Sequence, residues 1–308
     1  DRIGRRRLRE SGELYLIMLP VLVMIFIFFY MPMFGVVIAF QDYVPGDPFF
    51  AFDGSTKWVG LQHFKTFFSS IYFPRLLKNT LTLSLMNLAF GFWVPIAFAL
   101  LLNEVTHLRY KKLVQTASYM PYFISMVLVG LFSYALFNVD NGLINTVLRS
   151  LGLQDYNFYL NANAWPPIII AFQVWKGLGY GSIIYLSVIS GIETDYYEAA
   201  RIDGATKWQQ IRYLTLPMLK PTFMLLFMFN LGSILKGQFQ LFYQLIGDNG
   251  LLYSTTDIID TYVYRALTVN FDIGMGSAAG VFQSVFGFVL VITVNAIVRK
   301  LNKEYALF

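Results

Sequence analysis

Cysteine is absent from the 308-residue chain and histidine occurs only twice, as His63 and His107. A disulfide framework, a thiolate zinc site and a cysteine nucleophile are therefore excluded, and catalysis through histidine has few candidates. Charge is also scarce: 13% of the residues are charged, about half the share, near 25%, of an ordinary soluble domain. With 56% hydrophobic residues, the composition is that of an integral membrane protein. No G-x-x-x-x-G-K-[ST] phosphate loop occurs, so the chain cannot cradle a nucleotide in the P-loop manner. The glycine-rich runs "GLGYG" at 177–181 and "GMGSAAG" at 274–280 follow no predicted strand, and they read as small residues that let helices pack closely.

What is present is a series of long apolar runs. Crossing a hydrocarbon core of about 30 Å takes roughly 20 apolar residues in a helix, and six segments qualify, near 14–40, 79–103, 114–137, 165–192, 218–246 and 276–298. The formal charge of +5 matters less than where Lys and Arg lie, and it is not read as a nucleic-acid surface. Fifteen of them fall before the first span, in "LRYKK", in the 193–217 loop with Lys220, and after the last span, whereas the alternate loops hold six. Basic residues close to spans are retained inside, so both termini and the 193–217 loop are expected to be cytoplasmic. The expected organisation is all-α: a basic cytoplasmic segment over 1–13, then a six-span domain over 14–308. The chain opens on Asp1, so its native start is expected to lie upstream. On the outer side, "GLINTVLRSLG" and "TDIIDTYVYRAL" have the apolar spacing of short surface helices that could receive a soluble partner.

The segment "TDYYEAARIDGATKWQQIRYLTLPMLKP" at 194–221 is charged and alanine-rich, though it lies between two spans. Asp195 with Glu198, and Thr206 with Gln209, have capping-box spacing, so two short helices are expected, the second ending at Pro217. Gly204 suits the left-handed residue that would end the first. Ala199, Ala200 and Ala205 permit close approach, Tyr196 and Tyr197 offer aromatic contact, and Glu198, Arg201 and Asp203 offer directed charge. Such a pair is suited to being gripped by a partner protein.

Here the residues resemble a family. "EAARIDGATKWQQIRYLTLP" is similar to the EAA motif of permease subunits in binding-protein-dependent ATP-binding-cassette importers: Glu198-Ala199-Ala200, three residues, Gly204, nine residues, then Leu214-x-Leu216-Pro217, with Leu214 where Ile is usual. "YLIMLPVLVMIFIFFYMPMFGVVIAFQDY", "NTLTLSLMN" and "DTYVYRALTVNFDIGMGSAAGVF" resemble the carbohydrate branch, in particular its polysaccharide and oligosaccharide permeases. The resemblance implies a type I importer permease fold, a bacterial inner-membrane location, and docking of residues 195–207 as a coupling helix in a cleft of an ATPase. It also implies a second homologous permease, two ATPase subunits that bind ATP and Mg, and a periplasmic solute-binding protein. This chain itself is then no enzyme and holds no cofactor.

Candidates for the sugar path come from polar residues in the spans. The fifth carries "NLGSILKGQFQLFYQ", where Asn230, Ser233, Lys236, Gln238 and Gln240 interrupt an apolar run beside Gly232 and Gly237. Polar groups with glycines in mid-span point to an irregular, cavity-lining segment. Phe239, Tyr243, Trp175 and Tyr180 supply aromatic faces nearby in sequence, and Lys176 sits within the fourth span. A mid-span Lys costs about 2.5–3.5 kcal/mol on insertion scales, so each Lys is expected to face a cavity, a partner helix or the interface. If the lysines line the path, the carboxylates of an acidic sugar such as an alginate or other uronate oligosaccharide would compensate them. Two rival readings differ in class. A membrane-embedded glycosyl- or lipid-transferring enzyme would need acid/base groups, for which Asp257, Asp260 and Asp272 are the nearest approach. An ion-coupled carrier would need midplane carboxylates, and no Asp or Glu lies within the six expected spans.

Overall fold

The computed structural model describes residues 2–46, 48, 56–301 and 306. In chain order the helices are α1 (Arg2–Ile25), α2 (Gln62–Ser69), α3 (Phe73–Glu104), α4 (Leu108–Phe123), α5 (Met126–Phe137), α6 (Leu143–Ser150) and α7 (Trp165–Ser190). There follow α8 (Thr194–Ile202), α9 (Lys207–Gln210), α10 (Leu216–Leu231), α11 (Phe239–Ile246), α12 (Tyr253–Thr256), α13 (Ile259–Thr268) and α14 (Ile273–Leu301). Extended pairing among the described residues is confined to one bridge between Gln41 and Trp58. Among the described residues, five helical segments are long and apolar enough to cross a membrane, and six are when the bent pair α4 with α5 is counted as one span.

The chain forms two compact units. In the first, Asp1–Ser70 with Val263–Val281, helix α1 continues through a π turn at Phe26–Tyr30 and a 3-10 run at Met31–Phe40. Pro32, which lacks an N–H, stands in the first turn of that 3-10 run, where one intrahelical bond fewer costs little. Leu16, Ile17 and Phe29 are largely exposed, which suits a helix solvated by lipid. His63 Nε2 lies 3.0 Å from the Gln41 carbonyl, and its ring packs so closely on Gly274 that a Cβ there would come within 2.4 Å. His63 is thus part of the packing.

In the second unit, Ile71–Tyr262 with Phe282–Phe308, α3 and α7 run against each other. One core cluster gathers Phe92, Ile96, Ala99 and Leu102 of α3 with Tyr185, Leu186 and Ile189 of α7 and Leu219 of α10. A second gathers Val129 and Phe137 of α5, Trp165 and Ile169 of α7, and Leu241, Phe242 and Leu245 of α11. The "GLGYG" glycines divide their roles: a Cβ on Gly179 would lie 2.2 Å from the Ser118 carbonyl of α4, and Gly181 abuts Pro95 of α3, whereas Gly177 meets nothing within 4 Å. Close packing accounts for two of the three.

Several expected boundaries are corrected. The third span is not one helix over 114–137: α4 and α5 meet at a bend of 100°. Ile124 is extended there, and the Ser125 side chain caps α5 by accepting from the Leu128 N–H at 3.4 Å. The fifth span neither starts at 218 nor reaches 246. It runs from Lys207 to Leu231, breaks over 232–238, and resumes as α11. Pro217 does not end the second loop helix, because α9 passes through a π turn at Ile211–Thr215 into α10 and Pro217 falls in the first turn of α10. The wider π turn tolerates the missing donor. Finally, the capping box expected at Asp195 and Glu198 does not form, since α8 begins two residues earlier, with Glu193 at its N-cap and Asp195 in its first turn. The Thr206–Gln209 box does form. The two short helices expected in "GLINTVLRSLG" and "TDIIDTYVYRAL" are observed as α6 and α13.

Candidate functional site

A cavity of about 480 Å³ lies between α3, α7 and the broken end of α10, within the range of small-ligand sites. Ser84 and Asn87 line it from α3; Gln173, Tyr180 and Tyr185 from α7; Asn230, Ser233, Lys236 and Gln238 from the end of α10 and the break. The break is what brings the last group there. Beyond Leu231 the chain folds into successive short turns, Ser233 N–H to Asn230 carbonyl at 3.1 Å and Lys236 N–H to Ser233 carbonyl at 2.8 Å. A regular helix would have spread these side chains around its circumference.

The cavity's electrostatics are simple. Lys236 is its one cation, and no described carboxylate lines it or pairs with Lys236. The Tyr185 hydroxyl and the Gln173 carbonyl oxygen are buried in its wall with no hydrogen-bond partner among the described residues. An unpartnered buried polar group costs about 1–3 kcal/mol, so these atoms favour a guest that carries hydroxyl groups. Tyr180 presents an aromatic face that is backed by Tyr122, stacked at 4.4 Å and 9°.

Other residues expected on the path lie elsewhere. Lys176 is turned away from the cavity: its ammonium donates to the carbonyls of Pro121 at 3.1 Å, Tyr122 at 2.9 Å and Ile124, at the end of α4. Those carbonyls lie at the C-terminal end of α4, where the Pro121 carbonyl also accepts from the Ile124 N–H at 3.2 Å, and they carry the negative end of the helix dipole, so a cation there is favourable. Trp175 borders a separate apolar depression with Phe132 and Phe172. Tyr243 packs on Phe239 at 5.4 Å, and Gln240 is exposed outside the cavity lining. Sequence reasoning missed Ser84, Asn87, Gln173 and Tyr185. The available signal was a polar residue within an apolar run, as in "LSLMNLAF" and "IIIAFQVW".

The three carboxylates that an enzyme would need are bound up in structure. Asp257 pairs with Arg75 at 2.7 Å and is fully buried. Asp272 accepts from the Met275 N–H at 2.9 Å. Asp260 accepts from the Gly237 N–H at 2.6 Å. Burial pushes the Asp260 carboxyl above its usual range, opposed by the Gly237 N–H, the Gln283 amide and the charge of Lys236.

The 194–217 segment forms a largely exposed turn. After α8, the Ala205 N–H bonds the Ala200 carbonyl at 2.9 Å and the Gly204 N–H bonds the Arg201 carbonyl at 3.1 Å, with Gly204 at φ +79°. That is a Schellman arrangement, and its left-handed residue favours glycine. Tyr196, Glu198, Ala199, Arg201 and Asp203 are exposed, while Ala200 and Ala205 are half-buried. Tyr197 faces inward, its hydroxyl 2.9 Å from Thr215 Oγ1, so it ties α8 to the foot of the fifth span. Lys207 pairs with Glu104 of α3 at 2.9 Å. Ile202, 87% exposed, and Trp208 present apolar surface on the same turn and were not among the expected contacts.

Comparison with known proteins gives the context. Residues 91–303 match the family described as binding-protein-dependent transport system inner membrane component. The chain is 40% identical to the polygalacturonan/rhamnogalacturonan transport system permease protein YteP of Bacillus subtilis, over 97% of this chain and 91% of that protein. It is 37% identical to protein LplB of the same organism, over 96% and 92%. Among solved structures it resembles a chain of a bacterial alginate ABC transporter in complex with alginate pentasaccharide-bound periplasmic protein, with 36% identity and a TM-score of 0.86 over 97% of this chain and 98% of that one. With an all-helical fold of five or six spans and a broken fifth span, this chain belongs to the inner membrane components of binding-protein-dependent transport systems.

Proposed function

We propose that the chain is the permease subunit of an ATP-driven importer that moves an acidic oligosaccharide across the bacterial inner membrane. The observation that carries this reading is the cavity: one cation without a carboxylate partner, a buried tyrosine hydroxyl and an amide oxygen awaiting partners, and an aromatic face at Tyr180. A uronate sugar offers a carboxylate to Lys236, hydroxyls to Gln173 and Tyr185, and a C–H face to the tyrosine ring. Relatives whose names mention polygalacturonan, rhamnogalacturonan and alginate act on acidic polymers of this kind.

The chain works with a second permease, two ATPase subunits and a periplasmic binding protein, with both termini and the 194–217 turn on the ATPase side. The exposed face of α8, with Tyr196, Glu198, Ala199, Arg201, Asp203 and Ile202, sits in a cleft of the ATPase. When ATP draws the two ATPase subunits together, α8 is pulled, and Tyr197 and the continuous α9–α10 segment pass the displacement to the cavity wall. ATP shifts the permease between inward- and outward-open states only through this differential contact.

The test is uptake by the complete importer in proteoliposomes. ATP-dependent uptake of oligogalacturonate or alginate oligosaccharide is expected, with a carboxyl-reduced counterpart taken up far more slowly. Equal uptake of both sugars, or uptake driven by an ion gradient without ATP, refutes the proposal.

A further inference from the structure

The side chain of Lys236 reaches the cavity from an unwound stretch, and such a stretch does not by itself fix where a side chain points. Both peptide groups that flank Lys236 are held by side chains from other helices. On one side, the Leu235 carbonyl accepts from Gln283 Nε2 of α14 at 2.6 Å; on the other, the Gly237 N–H donates to Asp260 Oδ2 of α13 at 2.6 Å. The two holders also touch each other, Gln283 Nε2 lying 3.3 Å from Asp260 Oδ2. Gln283 is 5% exposed, and Leu235 between the two contacts is buried. Gly237 has no side chain in the way: a Cβ there would sit 2.3 Å from Ile258 Cδ1 and 3.1 Å from Asp260 Oδ2.

We propose that Asp260 and Gln283 are positioning residues that fix the backbone on either side of Lys236 and thereby hold its ammonium in the cavity for the substrate carboxylate. This rests on the reading that Lys236 meets an acidic sugar. Backbone groups freed by a break in a span need partners from neighbouring elements, and here those partners also set a direction. With the Leu235 and Gly237 peptides both tied, rotation about the backbone at Lys236 is blocked, and the long flexible stem adds its reach to a fixed origin. The carboxylate of Asp260 is consumed by a main-chain N–H, which leaves the charge of Lys236 without an ion-pair partner among the described residues.

The role predicted for Asp260 is that of an acceptor, and this separates its variants. Asp260→Asn retains an oxygen for the Gly237 N–H; Asp260→Ala does not. KM and maximal rate are measured in proteoliposomes of the complete importer, using whichever uronate oligosaccharide, oligogalacturonate or alginate, the unaltered importer takes up faster, and its carboxyl-reduced form. Asp260→Ala and Gln283→Leu are expected to raise KM for the acidic sugar about ten-fold, the effect of one misplaced charged hydrogen bond, with KM for the reduced sugar unchanged. Asp260→Asn is expected to behave as the unaltered protein, and Asp260→Ala combined with Lys236→Met to be no worse than Lys236→Met alone.

The proposal is overturned if Asp260→Ala leaves the preference intact, if it weakens both sugars equally, or if its effect adds to that of Lys236→Met. Failure of both Asp260→Ala and Gln283→Leu to assemble also overturns it, in favour of a purely architectural role. If Lys236→Met itself leaves the preference for the acidic sugar unchanged, the acidic-substrate reading falls and this proposal falls with it. A preference lost in Lys236→Met but kept in Asp260→Ala removes the positioning role alone.

Discussion

Replacing Lys176 by Met keeps the length of the side chain and removes only its ammonium, which donates to the carbonyls of Pro121, Tyr122 and Ile124. Each hydrogen bond from a charged donor contributes about 1.5–3 kcal/mol, while placing a Lys in mid-span costs about 2.5–3.5 kcal/mol, which the substitution recovers. The net destabilisation expected is about 3 kcal/mol, because three acceptors at the 100° bend lose one shared donor. Thermal unfolding of the purified complex in detergent should move down by roughly 5 °C or more, and Lys176→Arg should recover part of the loss. The ratio of KM values for the acidic and carboxyl-reduced sugars should not change, because Lys176 does not line the cavity. An unchanged melting temperature with a weakened preference for the acidic sugar would show that Lys176 meets substrate, and would refute the capping argument.

Other consequences follow from the same contacts. Gly204→Val places a β-branched residue at φ +79° and should cost at least 1–2 kcal/mol locally; with Glu198→Ala it should abolish substrate-stimulated ATP hydrolysis by the assembled importer while leaving assembly intact. Burial raises the Asp260 carboxyl, so the folded state binds its proton more tightly than the unfolded one. The stability this contributes is complete below the ordinary value of 3.8 and is lost as pH rises through the raised value. The melting temperature of Asp260→Asn should therefore fall less than that of the unaltered complex between acid and neutral pH. Gly179→Leu would drive a side chain into the Ser118 carbonyl, where even a Cβ would lie at 2.2 Å, and should reduce folded yield severely.

The legible part of the fold was what composition and period carry. The apolar runs found each span, because a helix in lipid must be apolar over its length whatever surrounds it, but they misplaced the fifth, which runs from Lys207 to Leu231 and not over 218–246. Thr206 and Gln209 announced a capping box that forms, and Gly204 announced its left-handed turn, since both are contacts between near neighbours in sequence. The 100° bend was not legible: Pro121 and Ser125 fit equally well in a kinked but continuous helix, and what stabilises the bend is Lys176, about fifty residues away. In the fifth span, glycines and polar residues signalled irregularity without saying where regularity ended. The partners that hold the break, Asp260 and Gln283, lie on α13 and α14.

The candidate path divides in the same way. Asn230, Lys236, Gln238 and Tyr180 share one cavity, while Lys176, Trp175, Gln240 and Tyr243 lie outside its lining. Nothing local distinguishes the two lysines. Each is a single cation in an apolar run beside glycine, and only the arrangement of neighbouring helices supplies one with three carbonyls and the other with an open polar wall. By itself the sequence determined that this is a membrane chain of about six spans with an EAA loop between two of them, because hydropathy, caps and that motif are properties of contiguous residues. The tertiary structure alone decided which polar side chains meet, since the breaks in the third and fifth spans are held by residues far away in sequence.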